Sequence, residues 1–312
     1  MPASGLVIID KPGGITSHGV VAVTRRTLNT RKVGHAGTLD PMATGILVVG
    51  IGQATRLLGF LALTDKEYEA TIRLGSSTFT DDSQGDVLDR ADPADLSGVS
   101  DERINDVITR FVGRIEQVPS SVSAIKVDGA RAYSRVRAGE EVELKPRAVT
   151  VTAFDIVKIS RQFDAVDVDV KVACSTGTYI RALARDVGRQ LGVGGHLTRL
   201  RRTRVGPFSL PMAHDLDSWS FGPHPESAIV PINEIAAAAF TCKVVSPEQA
   251  ADITYGRRIE WEHSNDESGD VNSPEPGVMA LMDESGSLLA LAREKDGRAS
   301  YLCVFVTSTG PA

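Results

Sequence analysis

Residues 34–45 read Gly34-His35-Ala36-Gly37-Thr38-Leu39-Asp40-Pro41-Met42-Ala43-Thr44-Gly45, and the rest of the chain is best understood outward from them. The stretch has neither a helical nor a strand period. Its glycines supply backbone angles and close approach that other residues resist. Pro41 fixes its own φ and biases Asp40 away from the α region. Ile46-Leu47-Val48-Val49 follows at once and reads as a buried strand. The sequence therefore predicts a shaped loop that holds one carboxylate on a rigid shelf beside the core. Two readings of Asp40 stand side by side: a turn carboxylate bonded to nearby amides, or a reacting group of the kind that loops often carry.

Before the loop, residues 6–9 read as a strand, residues 10–14 as a turn, and Thr16 or Ser17 as the cap of a helix through Val20, Val21, Val23 and Leu28. After it, a turn at Gly50-Ile51-Gly52 leads to a helical stretch through Ala54, Leu57, Leu58 and Leu61. Residues 66–74 alternate as a strand, and residues 75–100 read as an acidic loop region. A helix follows with Ile104, Val107, Ile108 and Phe111 inward, then extended chain over 115–127 and a charged, protruding arm over 128–147. Strands are predicted at 149–158 and 165–173, and a helix from about Tyr179 to Leu191. A proline-bearing linker opens a C-terminal unit near residue 230, with a helix at 248–253 and strands at 278–283, 287–293 and 300–307. Many short strands with interspersed helices, in no regular βαβ order, predict an α+β fold with a mixed or antiparallel sheet.

The composition, 42% apolar and 24% charged over 312 residues, is that of a globular chain able to bury a sizeable core. No apolar run approaches the roughly 18 residues of a membrane span. No charged-then-apolar leader is visible, and three scattered cysteines show no metal spacing, so a reducing cytoplasm is the expected setting. The net charge of −6 hides an asymmetry. Residues 171–210 carry eight basic side chains against Asp186 alone, whereas residues 214–275 carry twelve acids against three bases. Arginine dominates the cluster, and its fork suits phosphate, so a basic face for a polyanion is expected.

Gly50-Ile51-Gly52-Gln53-Ala54-Thr55 is a poor dinucleotide fingerprint, because Thr55 stands at the third glycine and no acidic residue ends a strand about twenty residues on. No Walker A pattern, nucleophile elbow or paired histidines at zinc spacing occur, so neither a cofactor nor a metal is expected. Cys174-Ser175-Thr176-Gly177-Thr178-Tyr179-Ile180-Arg181 follows a strand and opens a helix, where free amides suit an anion.

Taken together, residues 10–17, 34–45, Lys66-Glu67-Tyr68, Ser123-Ala124-Ile125-Lys126, residues 174–181 and residues 196–203 lie in an order and spacing that resembles the TruB family of tRNA pseudouridine synthases. The resemblance covers roughly residues 5–210. It implies the pseudouridine synthase fold over residues 1–229, with residues 126–147 as an arm that clasps the tRNA T-loop. It also implies a small β-rich, PUA-like module over residues 230–312. The implied reaction converts uridine 55 of the T-loop to pseudouridine without a cofactor, on a flipped-out base, by a monomer whose partner is the tRNA T-stem-loop. By the same resemblance Asp40 is the catalytic aspartate, Arg181 its arginine partner and Tyr68 the tyrosine stacking on the base. His35, Lys11, Leu200 and Lys126 are implied to serve substrate binding, and Tyr179, in the first turn of its predicted helix, is a further substrate-binding candidate. Val122 departs from the family, where many relatives carry tyrosine.

Overall fold

The two apolar runs on either side of the Asp40 loop fold as neighbouring strands buried on both faces. In the computed structural model, which describes residues 4–120, 126–127, 130–131, 145–261 and 274–305, strand Gly5–Lys11 pairs antiparallel with Thr44–Ile51 from Gly5↔Ile51 to Lys11↔Gly45. The period-2 alternation of a strand sorts their side chains. Leu6, Ile8, Ile46 and Val48 enter one core with Leu57, Leu61 and Phe208. Val7, Ile9, Leu47 and Val49 enter another with Val20, Val21, Leu216 and Trp219. Strand Val33–Ala36 pairs on Thr44–Ile51, and His214–Asp215 and Val230–Pro231 pair on Gly5–Lys11. Helix Ser17–Thr27 starts where expected, with the Thr16 side chain accepting from the Gly19 amide.

These elements belong to one compact unit made of Met1–Pro41, Gly45–Thr64 and Arg204–Ala312. The C-terminal residues contribute a four-stranded sheet in the order Thr241–Val244, Met279–Met282, Leu288–Lys295, Arg298–Val304, whose first pair is parallel and the others antiparallel. Helix Pro247–Thr254 is closed by a reciprocal capping box between Ser246 and Gln249. Ile235, Val278, Ala280, Leu291 and Phe305 lie in the same core as Leu6 and Ile8. Contacts therefore gather the residues after 230 with the first strands.

The second compact unit comprises Met42–Thr44 and Asp65–Thr203. Its strands run in the order Gly195–Val205, Lys66–Leu74, Val166–Cys174, Arg147–Arg161, Gly113–Gln117. Lys66–Leu74 pairs antiparallel with Val166–Cys174 without a slip, from Lys66↔Cys174 to Leu74↔Val166. The alternating valines 166, 168, 170 and 172 are all buried. Helix Ile180–Leu191 buries Leu183, Val187 and Leu191, as its periodicity predicts, and ends on left-handed Gly192. Its Gly188 is required by packing: a Cβ there would meet Gly194 C and Gly195 N at 2.2 Å.

The α+β class with largely antiparallel strands is what the structure shows. One stretch differs from expectation. The region expected to be an acidic loop holds a hairpin, Ser76–Thr78 with Val87–Arg90, and helix Pro93–Ser97. The arginine-rich residues after Gly194 form an eleven-residue strand, Gly195–Val205. Of the expected arm, most lies outside the described residues; Lys126–Val127 and Ala130–Arg131 pair as two short strands. Among the described residues no helix is long and apolar enough to cross a membrane.

Candidate functional site

The Asp40 loop is gripped on both sides of the aspartate. Before it, the buried Ser17 hydroxyl donates to Leu39 O at 3.1 Å and accepts from Leu39 N at 2.9 Å. After it, Pro41 O accepts from Gly14 N at 2.8 Å and from the Lys11 ammonium at 3.2 Å. Left-handed Gly37, φ 81°, makes the turn into the loop. Asp40 itself is half-buried. The carboxylate is thus carried by a main chain fixed at its two neighbouring residues.

Lys11 is fully buried, at 0% exposure. Its ammonium also donates to Pro12 O at 2.9 Å and Ile15 O at 2.8 Å. With no solvent-facing surface, it supports the loop from within rather than presenting a charge to a ligand. Lys11→Met leaves the Pro12, Ile15 and Pro41 carbonyls without their charged donor. Such bonds are worth about 1.5–3 kcal/mol, and a stability loss of about 3 kcal/mol in urea unfolding is the expected result. His35 is half-buried on strand Val33–Ala36, its ring edge-on to His18 with centroids 5.3 Å apart.

In the second unit, Tyr68 is half-buried in mid-strand and Leu200 is buried on the adjacent strand. Tyr179 is the N-cap of helix Ile180–Leu191, which places Arg181 in its first turn. Arg181 is only 6% exposed. Its Nη1 donates to Thr80 O at 2.9 Å, lies 3.5 Å from Ser120 Oγ, and sits 3.6 Å from Asp82 Oδ2, whose side chain is equally buried. One turn on, Arg185 pairs with Asp81 at 3.2 Å and Asp186 at 2.9 Å and donates to Val118 O at 2.8 Å. Burial pushes the Asp81 carboxyl above its ordinary value, against the pull of Arg185. The main chain of Lys126 lies in its short strand.

The 79–82 turn that receives both arginines is itself locked. Thr78 Oγ1 donates to Asp82 O, Leu197 N donates to Asp81 O, and Asp81 adopts φ 59°, a left-handed angle that aspartate tolerates. Asp82 also accepts from Gln84 N and from the Thr80 hydroxyl. Asp81, Asp82, Ser120 and Gln117 are absent from the sequence-based candidates. Arg181 and Arg185 at i and i+4 on one helix face were the available signal, since two arginines on a face that packs inward need carboxylates from elsewhere.

The basic residues of 171–210 do not make a single face. Arg202 is 1% exposed and Arg181 6%, Arg201 donates to Thr44 Oγ1, and Arg204 donates to Gly206 O. Arg189 and Arg199 remain exposed, the latter 3.9 Å from Glu69. The expected polyanion surface is correspondingly smaller than the charge count suggests, because an arginine-rich strand alternates its side chains between two faces.

Lys66 is buried opposite Cys174, and burial, with Arg202 adding repulsion, holds its ammonium down to about 8. Above pH 8 the folded chain sheds a proton that the unfolded chain, at the ordinary 10.5, still keeps. The unfolded state then binds more protons, so this contribution raises stability as pH rises. Burial pushes the Cys174 thiol from 9.0 up to about 11, which acts in the opposite direction once pH passes 9. The window from pH 8 to 9 therefore belongs to Lys66. The stability of the wild type relative to Lys66→Met is expected to rise across it by up to about 1 kcal/mol. A flat difference in denaturant titrations would remove the assignment.

Comparison with known proteins adds to this geometry. The model of "TruB family pseudouridylate synthase (N terminal domain)" matches residues 25–180, and that of "tRNA pseudouridylate synthase B C-terminal domain" matches residues 181–222. A relative from Leifsonia xyli, named tRNA pseudouridine synthase B, is 51% identical over 308 residues, covering 98% of this chain and 97% of its own length. A Cutibacterium acnes protein of the same name is 51% identical over 310 residues, covering 97% of this chain and 98% of its own. Among solved structures, an H/ACA RNP bound to a substrate RNA containing 2'-deoxyuridine is similar with TM-score 0.71 and 26% identity, over 98% of this chain and 86% of that one. A Cbf5-Nop10-Gar1 complex is similar with TM-score 0.69 and 27% identity, over 97% and 84% respectively.

Proposed function

Because the chain belongs to the TruB family of pseudouridylate synthases, we propose that it isomerises uridine 55 in the T-loop of tRNA to pseudouridine, with Asp40 as the reacting carboxylate. The observation that carries this reading is the double clamp on the Asp40 loop, with Leu39 held by Ser17, and Pro41 by Gly14 and Lys11. A turn carboxylate that merely caps its own loop does not require both neighbours to be fixed. A reacting group does, since a misplacement of about 1 Å can cost 10²-fold in rate.

The reaction breaks the N1–C1′ glycosidic bond, turns the base and joins C5 to C1′; the C5 proton is lost and N1 regains one. Asp40 serves the sugar as nucleophile or base, and either role needs it ionised. Arg181 supplies the positive charge that favours the ionised form. Tyr68 stacks on the flipped uracil, Leu200 and Tyr179 line its site, and His35 fills the space the base leaves in the T-loop. Lys11 acts through the loop main chain, and Lys126 belongs to the arm that clasps the RNA. The exposed Arg189 and Arg199 add phosphate contacts. Residues 1–229 form the catalytic part and residues 230–312 a PUA-like module, and the enzyme works in the cytoplasm as a monomer.

Tritium release from tRNA transcripts labelled at uridine C5 tests the proposal. Release from the natural transcript, lost when uridine 55 is replaced by cytidine, is the expected result. No release, or release unaffected by that replacement, would sink it.

A further inference from the structure

Gln117, the last residue of strand Gly113–Gln117, is 2% exposed and makes a reciprocal pair of bonds to one main-chain unit. Its Oε1 accepts from Tyr179 N at 2.8 Å, and its Nε2 donates to Tyr179 O at 3.1 Å. Tyr179 is the N-cap of the helix whose second residue is Arg181, and it has extended angles, φ −103° and ψ 105°, with no side-chain capping bond of its own. The amide group of Gln117 therefore stands where a strand neighbour or a capping side chain would stand. Tyr179 O also accepts from Leu183 N, so the grip continues into the helix ladder.

The same short segment reaches the guanidinium. Ser120, three residues after Gln117, lies 3.5 Å from Arg181 Nη1 and donates to Thr80 O at 3.3 Å, the carbonyl that also accepts from Arg181. Val118 O, between them, accepts from Arg185. Helix start, guanidinium and receiving turn are thus referenced to residues 117–120. An amide is well suited to the task, because it supplies one acceptor and one donor in a plane, matching the N–H and C=O of a single residue.

We infer that Gln117 is a positioning residue for Arg181, fixing the height and rotation of the first helical turn so that the guanidinium is held at its working place. The inference rests on the reading of Arg181 as part of the catalytic apparatus. Gln117 touches no reacting atom; it acts through main chain.

Gln117→Met keeps the volume and removes both bonds. In single-turnover reactions with enzyme in excess it lowers the rate of pseudouridine formation by about 10- to 100-fold, while the Kd for tRNA stays within about twofold and the protein remains folded at the assay temperature. Gln117→Glu keeps the acceptor for Tyr179 N and recovers part of the rate. In an Arg181→Lys background, Gln117→Met costs less than about threefold, as coupled residues require. The full factor in both backgrounds overturns the inference, as does a rate loss that only follows the loss of folded protein. Should Gln117→Met fail to fold, Gln117→Glu carries the same comparison in the two backgrounds. An Arg181→Lys enzyme at wild-type rate instead refutes the role of Arg181, and is told apart because it needs no change at residue 117.

Discussion

Asp40→Asn is expected to abolish pseudouridine formation, lowering the single-turnover rate by on the order of 10⁴-fold or more, the scale on which loss of a reacting group is felt. Asparagine keeps the shape and hydrogen-bonding reach of the side chain but can act neither as an anionic nucleophile nor as a base. The loop should survive the change. Its fixed points are the main chains of Leu39 and Pro41, gripped by Ser17, Gly14 and Lys11, and none of those bonds uses the carboxylate. Stability within about 1 kcal/mol of wild type and unchanged affinity for tRNA are therefore expected beside the lost activity. Retained activity would remove Asp40 from the chemistry. Lost binding in a folded protein would make its role structural.

Arg181→Met has the second largest expected effect, and it falls on two quantities at once. The guanidinium lies beside the equally buried Asp82 and donates to Thr80 O. Removing one partner of a buried pair leaves the other charge uncompensated, at a cost of about 3–5 kcal/mol. Loss of an oriented charge from a catalytic site costs about 10²- to 10³-fold in rate. Urea unfolding reads the first, and single-turnover assays on the folded fraction read the second. Arg181→Lys separates them, because an ammonium restores the charge near Asp82 without the guanidinium fork. A variant that is destabilised yet fully active when folded would confine Arg181 to the structural role.

The clearest parts of the sequence were those in which one period ran unopposed. Residues 66–74 alternate cleanly and form a strand over that same span, and Leu183, Val187 and Leu191 mark the buried side of their helix. Strand Gly195–Val205 was hidden because arginines stand at both parities: Arg202 goes inward and Arg199 outward, so polarity no longer reports direction. The 79–82 turn was hidden for a related reason. In a stretch rich in Ser, Asp and Thr, buried Asp82 looks no different from exposed Asp86. What separates them is arginines a hundred residues away, and pairing at that distance leaves no local trace. Gln117 and Ser17 belong to the same class, since a side chain that grips main chain needs no particular residue at the gripped position.

Leu6 and Ile8 share a core with Leu291 and Phe305, so the order of synthesis bears on how this protein is made. A ribosome emitting about 5–20 residues per second delivers the first strand many seconds before the last one that covers it. During that interval Leu6 and Ile8 have only the earlier part of their core, Leu57, Leu61 and Phe208 among it. Nascent chains arrested before residue 279 lack the Ala280, Leu291 and Phe305 side of that core, and faster protease cleavage within residues 5–51 than in the full chain is the expected result.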